Sequence, residues 1–233
     1  MFFYDPRYLM FMLPAFLLML LVQWYVNAAY SKWSRVPTNT RISGAQAAQR
    51  LIQAGGLYGV HIEEIQGKMT DHYDPREKVL RLSHGVAESG SVAALAIAAH
   101  ELGHAMQDKE GYFPLRLRSA MVPAVNIGSY LGWILIVIGL LLQITGVAWL
   151  GVLVFSAGAL FALATLPVEL NASSRARRLL TESGLIYSEE EMRGVSNVLN
   201  AAALTYVAAL VTAVMQLLYW VTVILGMGGR RRS

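Results

Sequence analysis

Three long stretches of this chain carry no charged side chain: Tyr8 to Ser31, Ser119 to Val168 and Val195 to Gly229. An α-helix needs about 20 apolar residues to cross a bilayer. The first and third stretches therefore hold one span each, and the middle one, fifty residues long, holds two. Its polar interruption, Gln143-Ile144-Thr145-Gly146, places the break between them. The pattern predicts four spans, roughly residues 8–30, 121–143, 147–169 and 199–226. The first has too long an apolar run for a signal peptide, and Asp5 and Arg7 ahead of it are no basic cluster, so it reads as a retained anchor. Val92 to Ala99 is also apolar, but at eight residues it reads as a buried helix of a folded domain rather than a fifth span.

Residues 31–118 are the polar segment in which a water-exposed fold can form. Ser43 to Gln46 fits a capping box and opens a helix that runs through Leu51 and Ile52 to Gly55-Gly56. Val60, Ile62 and Ile65 suggest a short strand. Lys68 to His72 and Lys78 to Ser83 flank the turn Asp74-Pro75-Arg76-Glu77 and predict a hairpin. A further helix is expected from about Ser91 to Asp108. A unit of under ninety residues has a small core, and is expected to lean on the membrane helices.

Composition agrees with a membrane protein, and charge adds an orientation. Of the 233 residues 55% are hydrophobic and the mean hydropathy is +0.45, beyond the usual soluble range. With four spans, residues 31–118 and 171–198 share one side of the bilayer. That side carries fifteen Lys and Arg, among them Lys32, Arg35, Arg116, Arg118, Arg175, Arg177 and Arg178 close to span ends; the other has Arg7 and Arg230-Arg231-Arg232. Positive residues stay inside, so the folded segment is expected in the cytoplasm. Membrane-flanking arginines account for the net charge of +4, which implies no nucleic-acid partner. The chain has no cysteine, which excludes disulfides and thiolate metal ligands. No internal repeat, phosphate-binding glycine loop or low-complexity tract occurs.

The chemistry sits in His100-Glu101-Leu102-Gly103-His104, an HExxH sequence inside the predicted helix. Residues four apart share a helix face, so both imidazoles can aim at one Zn²⁺ with Glu101 beside the remaining coordination position. Neutral imidazoles leave the metal its charge, which drives the pKa of a bound water toward about 7. A neighbouring carboxylate can take that proton and pass it to a leaving amine. Glu101 is therefore the candidate catalytic base, and His100 and His104 are candidate metal ligands. Gly103 costs a helix interior about 1 kcal/mol relative to alanine, and points to a close approach of backbone or substrate. A third protein ligand is required. His61, His72, His84, Asp74 and Glu182 are chemically able, but each has an ordinary surface reading. Glu169 differs: it ends the fifty-residue uncharged run just after Pro167, and a carboxylate at a span's edge is costly without a partner.

The segments Pro167-Val168-Glu169-Leu170-Asn171-Ala172-Ser173, Thr70-Asp71-His72-Tyr73-Asp74-Pro75-Arg76 and Ala98-Ala99-His100-Glu101-Leu102-Gly103-His104-Ala105 join Ala201 to Ala208 and the opening Met1-Phe2-Phe3-Tyr4. Together they resemble the YugP-type membrane zinc metallopeptidases over essentially the whole chain. The resemblance implies an integral-membrane zinc peptidase. A more distant similarity is to the HtpX and CAAX prenyl protease group, which pairs HExxH with a later Glu-x-x-Ala-Asp on another helix. Glu169, Ala172 and Ser173 fall at the matching positions, which implies Glu169 as the third zinc ligand. Ser173 departs from that pattern. An Asp there would accept the outward N–H of a ligand histidine and hold its tautomer, which a serine does less strongly; Asn171 is a second candidate for the role. The hairpin lies just ahead of the metal helix, where zincins keep an edge strand that pairs with extended substrate. Tyr206, His72 and Arg175 are candidate donors to a tetrahedral oxyanion. Asn126, Gln143, Asn197, Asn200 and Gln216 read as hydrogen-bonding groups between helices.

The sequence thus predicts a mainly α fold, a four-span helical membrane protein with a small zincin-like α+β cytoplasmic domain. Residues 1–30 are the N-terminal anchor, 31–118 the zincin-like domain with the HExxH helix, and 119–170 two transmembrane helices ending at the third zinc ligand. Residues 171–198 form a cytoplasmic helical segment, and 199–233 the last transmembrane helix with a basic tail. The expected function is a gluzincin-like zinc endopeptidase. It would act on a peptide or protein substrate from the lipid bilayer of a bacterial plasma membrane, with its active site on the cytoplasmic side. The alternatives are a membrane scaffold or regulatory protein with a structural zinc, and a zinc hydrolase of non-peptide bonds. The intact Glu101 speaks against the scaffold, because a structural site needs no base. The pattern fixes neither a cleavage preference nor an oligomeric state.

Overall fold

Backbone amides that meet hydrocarbon must be satisfied within their own helix, and the uncharged stretches of this chain are helical. In chain order the elements are α1 (Pro6–Trp33), α2 (Gly44–Ala54), β1 (His61–Ile65), β2 (His72–Asp74), β3 (Val79–Ser83), α3 (His84–Ala87), α4 (Val92–Lys109), α5 (Phe113–Leu141), α6 (Thr145–Phe155), α7 (Ala157–Glu182) and α8 (Glu189–Arg230). The structure, a computed structural model, describes residues 5–230. Met1–Tyr4 and Arg231, Arg232 and Ser233, on which part of the resemblance and of the charge argument rests, lie outside the described residues. Among the described residues four helical runs are long and apolar enough to cross a membrane: Pro6–Trp33, Phe113–Leu141, Thr145–Glu182 and Glu189–Gly226. The break in the middle stretch falls where its polar residues stand, with Gln143 in the left-handed region at φ 57° between α5 and α6.

The chain divides into two compact units. One comprises Met1–Val22, Arg116–Leu166 and Thr205–Ser233. Ile136, Ala148, Val152, Tyr219, Trp220 and Ile224 are its buried core. Within it α5 and α6 pack backbone to backbone: a Cβ on Gly139 would stand 2.4 Å from the Ala148 nitrogen, so only glycine fits.

The other unit comprises Gln23–Leu115 and Pro167–Leu204 and carries the sheet and the HExxH segment. Its first helix, α2, has the expected capping box: Ser43 Oγ accepts from Gln46 N at 3.3 Å, and Gln46 Oε1 accepts from Ser43 N at 3.1 Å. The three strands lie in the order β1-β3-β2, with β1 parallel and β2 antiparallel to β3. The hairpin turns where expected, but its first strand is His72–Asp74 and not Lys68 to His72. Gly67 at φ 113° and Met69 at φ 59° turn the chain out of strand geometry there. β3 is the central strand, with Val79, Leu80 and Leu82 buried.

α4 starts at its cap Ser91, and Val92 to Leu95, Ala98 and Ala99 are all buried, so this apolar run is core and not a span. Around it gather Leu51, Leu80 and Leu82 with Trp33 of α1, Leu179 and Leu180 of α7, and Val195 and Leu199 of α8. The ends of three long helices thus complete a core that residues 31–118 could not close alone. Asn197 takes the interhelical role expected of it, accepting from Trp33 Nε1 at 2.9 Å and donating to Tyr25 Oη at 2.6 Å. α7 runs without a break from the apolar run into the charged one, so Glu169 sits inside a helix.

Candidate metal centre

The spacing of α4 places His100 and His104 on one face, with ring centroids 4.9 Å apart. α7 supplies Glu169, buried to 2% exposure. Its Oε2 lies 3.3 Å from His100 Nε2 and 3.5 Å from His104 Nε2. One donor atom from each of the three residues lies within 4.8 Å of the others. The helices come this close because residue 103 is glycine: a Cβ there would meet the Ala172 carbonyl oxygen at 2.5 Å. What approaches Gly103 is therefore backbone.

Two imidazole nitrogens and a carboxylate oxygen are a donor set that zinc takes, and ligand atoms on a tetrahedral ion with bonds of about 2.0–2.1 Å stand roughly 3.3 Å apart. The two nitrogen–oxygen separations, 3.3 and 3.5 Å, match that requirement. A carboxylate buried so deeply also calls for a positive partner. These three residues fit the metal.

Glu101 stands half-buried beside them, and the Tyr73 amide of β2 donates to its Oε2 at 3.1 Å. Burial pushes the Glu101 carboxyl above the usual carboxylate range and Glu169 adds to the rise, against the pull of both imidazoles and of the Tyr73 amide. A carboxyl raised in this way takes up a proton more readily than an exposed one. The Tyr73 side chain points along the same helix, its Oη donating to Asp108 Oδ2 at 3.1 Å. Burial and the Asp108 carboxylate hold that phenol well above its ordinary pKa, so it stays a donor.

The other sequence candidates have different partners. His61 is exposed; His72 sets Nδ1 2.8 Å from the Thr70 carbonyl oxygen, and His84 pairs with Glu64. Asp74 lies 3.2 Å from Arg81, and Glu182 4.0 Å from Arg178. Among the described residues none of these joins the cluster at α4. Arg175, a candidate oxyanion donor, is committed elsewhere: its terminal nitrogens bind both oxygens of Glu110 at 2.7 Å and its Nε binds Asn171 Oδ1 at 2.7 Å. Tyr206 belongs to the other unit. Ser173 Oγ lies 3.2 Å from His100 Nδ1, so the serine itself stands behind that ring. Asn171 bonds Gln107 instead, accepting from its Nε2 at 2.9 Å. Gln107, Glu110 and the Tyr73 amide escaped the sequence reading. For Gln107 a signal existed: it follows His104 by three residues and is the polar residue on a buried stretch of α4.

Comparison with known proteins places these features. A family model described as "Putative neutral zinc metallopeptidase" matches residues 8–225. The chain is 43% identical over 203 residues to the "Putative membrane protease YugP" of Bacillus subtilis (strain 168), covering 87% of this chain and 90% of that one. No solved structure matches it.

Proposed function

The chain belongs to the neutral zinc metallopeptidase family, and from that membership we propose that it is a membrane-integrated, zinc-dependent endopeptidase of the gluzincin-like, HExxH-plus-glutamate kind. The observation that carries this reading is Glu101, held by a backbone amide beside the cluster of His100, His104 and Glu169. His100, His104 and Glu169 would hold the zinc. When bound, zinc supplies a Lewis acid that lowers the pKa of water to about 7 and stabilises negative charge on a peptide carbonyl oxygen. Glu101 accepts the proton of the attacking water and returns it to the departing amine nitrogen. The Tyr73 amide occupies one oxygen of Glu101, which orients the carboxylate and leaves the other oxygen for that proton. The two imidazole side chains are 13% and 14% exposed, so the cluster is not fully sealed from solvent.

The substrate in this reading is a peptide or protein. The four apolar helices and the relative's description as a membrane protease support an enzyme seated in a lipid bilayer. The fifteen Lys and Arg of residues 31–118 and 171–198 support a site at the cytoplasmic face of a bacterial plasma membrane. Purified full-length protein is expected to cleave a susceptible peptide, and Glu101→Gln to retain zinc while turnover falls by at least about 10²-fold, since acid–base assistance is typically worth 10²–10⁴. Equal turnover in the two would overturn the hydrolytic mechanism and leave a structural zinc site.

A further inference from the structure

A chain of polar groups stands behind His104, all in the unit that carries the cluster. His104 Nδ1 lies 3.0 Å from Gln107 Oε1. Gln107 is completely buried, at 0% exposure, and its Nε2 donates to the Val168 carbonyl at 2.8 Å and to Asn171 Oδ1 at 2.9 Å. Asn171 Oδ1 also accepts from Arg175 Nε, and Arg175 is in turn forked onto the Glu110 carboxylate.

Chemistry leaves one assignment of donors and acceptors along this chain. A guanidinium only donates and a carbonyl only accepts. Arg175 therefore requires that Asn171 present its oxygen. That oxygen and the Val168 carbonyl together require both protons of the Gln107 amide nitrogen. The oxygen of Gln107 is thereby turned toward His104, and an amide oxygen only accepts. His104 must carry a proton on Nδ1, so in the neutral ring that binds metal the lone pair is on Nε2, the nitrogen that faces Glu169 Oε2. His100 has no equivalent device, because the hydroxyl of Ser173 both donates and accepts.

We propose that Gln107 is the positioning residue of the metal centre. It locks His104 in the tautomer that binds metal through Nε2 and ties that ring to Val168, the residue next to Glu169. Asn171, Arg175 and Glu110 hold it in place. Partners of this kind fix the ring and the tautomer of a ligand histidine, and their loss typically weakens metal binding about 10- to 100-fold. The proposal rests on the metal reading above, but not on peptide hydrolysis.

The test is the zinc affinity of the purified full-length protein, measured by competition with a chelator. Gln107→Met is expected to weaken zinc binding about 10- to 100-fold. Glu110→Gln removes the outer end of the chain at a half-exposed position; it is expected to give a smaller loss, and it decides the matter if Gln107→Met does not fold. Nitrogen-15 labelling of the five histidines supplies a second readout: zinc-loaded wild type should show His104 ligated through Nε2 with a slowly exchanging Nδ1 proton, which exchanges faster in either variant. Zinc affinity unchanged in the folded variants, or zinc on Nδ1 of His104, overturns the proposal while leaving the metal reading intact. A wild type that takes no zinc overturns both.

Discussion

A carboxylate at 2% exposure with two imidazoles at 3.3 and 3.5 Å has no ordinary surface role, and Glu169 is the residue on which the metal reading turns. Glu169→Ala should lose zinc or bind it far more weakly, with metal content as the measurement; full occupancy in that variant would remove the residue from the centre. Imidazoles bind metal only when neutral. Protons and metal compete for the same nitrogens, so zinc affinity should fall as pH is lowered, and an affinity flat from about pH 8 to 5 would contradict histidine ligation. The HExxH residues were legible because their logic is local, one turn of one helix, and Glu169 because it closes a long uncharged run. Tyr73 was not, since it contributes a backbone amide that any residue but proline possesses. For Gln107 the spacing after His104 was a local signal, but its partners Val168 and Asn171, 61 and 64 positions away, were not legible.

Among the elements, the approach of α4 to α7 is set by Gly103. On an exposed helix Gly→Ala stabilises. Here the added methyl would meet the Ala172 carbonyl oxygen at 2.5 Å, so Gly103→Ala should cost about 1–3 kcal/mol and weaken zinc binding, read as a lower Tm and a higher zinc Kd. A stabilised variant with unchanged zinc affinity would deny that the two helices touch there. The Arg175 guanidinium beside Glu110 also links these helices and holds that carboxyl below the usual range. An unfolded glutamate titrates near 4.3, so the pair contributes its full stability above that pH and loses it as pH falls toward the lower folded value. With Glu110 about half-exposed the contribution is small. Thermal melts of the metal-free protein should show a shallower acid limb in Glu110→Gln than in wild type. The α2 cap and the middle break could be read from the sequence because each is decided within a few residues. The sheet order could not: β1 pairs in parallel with β3, across an intervening strand, and no alternation of polar and apolar positions encodes that choice.

At the scale of the molecule, the described residues hold four helices fit to cross a membrane, legible in advance because the absence of charge over twenty or more residues admits few other readings. The division into two units was hidden. Its boundaries at Val22 and Leu204 fall inside α1 and α8, where neither a turn nor a change of composition marks them, and the one at Pro167 falls inside α7, where the uncharged run ends but the helix does not. The native chain has no cysteine, which permits a direct test of topology. Cysteines placed at the exposed positions Lys68 and Tyr187 should both be shielded from an impermeant thiol reagent in intact cells, while one added after Ser233 should react. Reaction of the first two from opposite sides would break the pairing of the second and third spans.

His100 and Glu169 stand 69 positions apart, with two apolar helical runs between them. A ribosome therefore delivers the histidines well before the carboxylate, and in the proposed reading a nascent chain can grip its metal by no more than two nitrogens until α7 has been made and inserted. On that reading the full set of ligands is complete only late in synthesis.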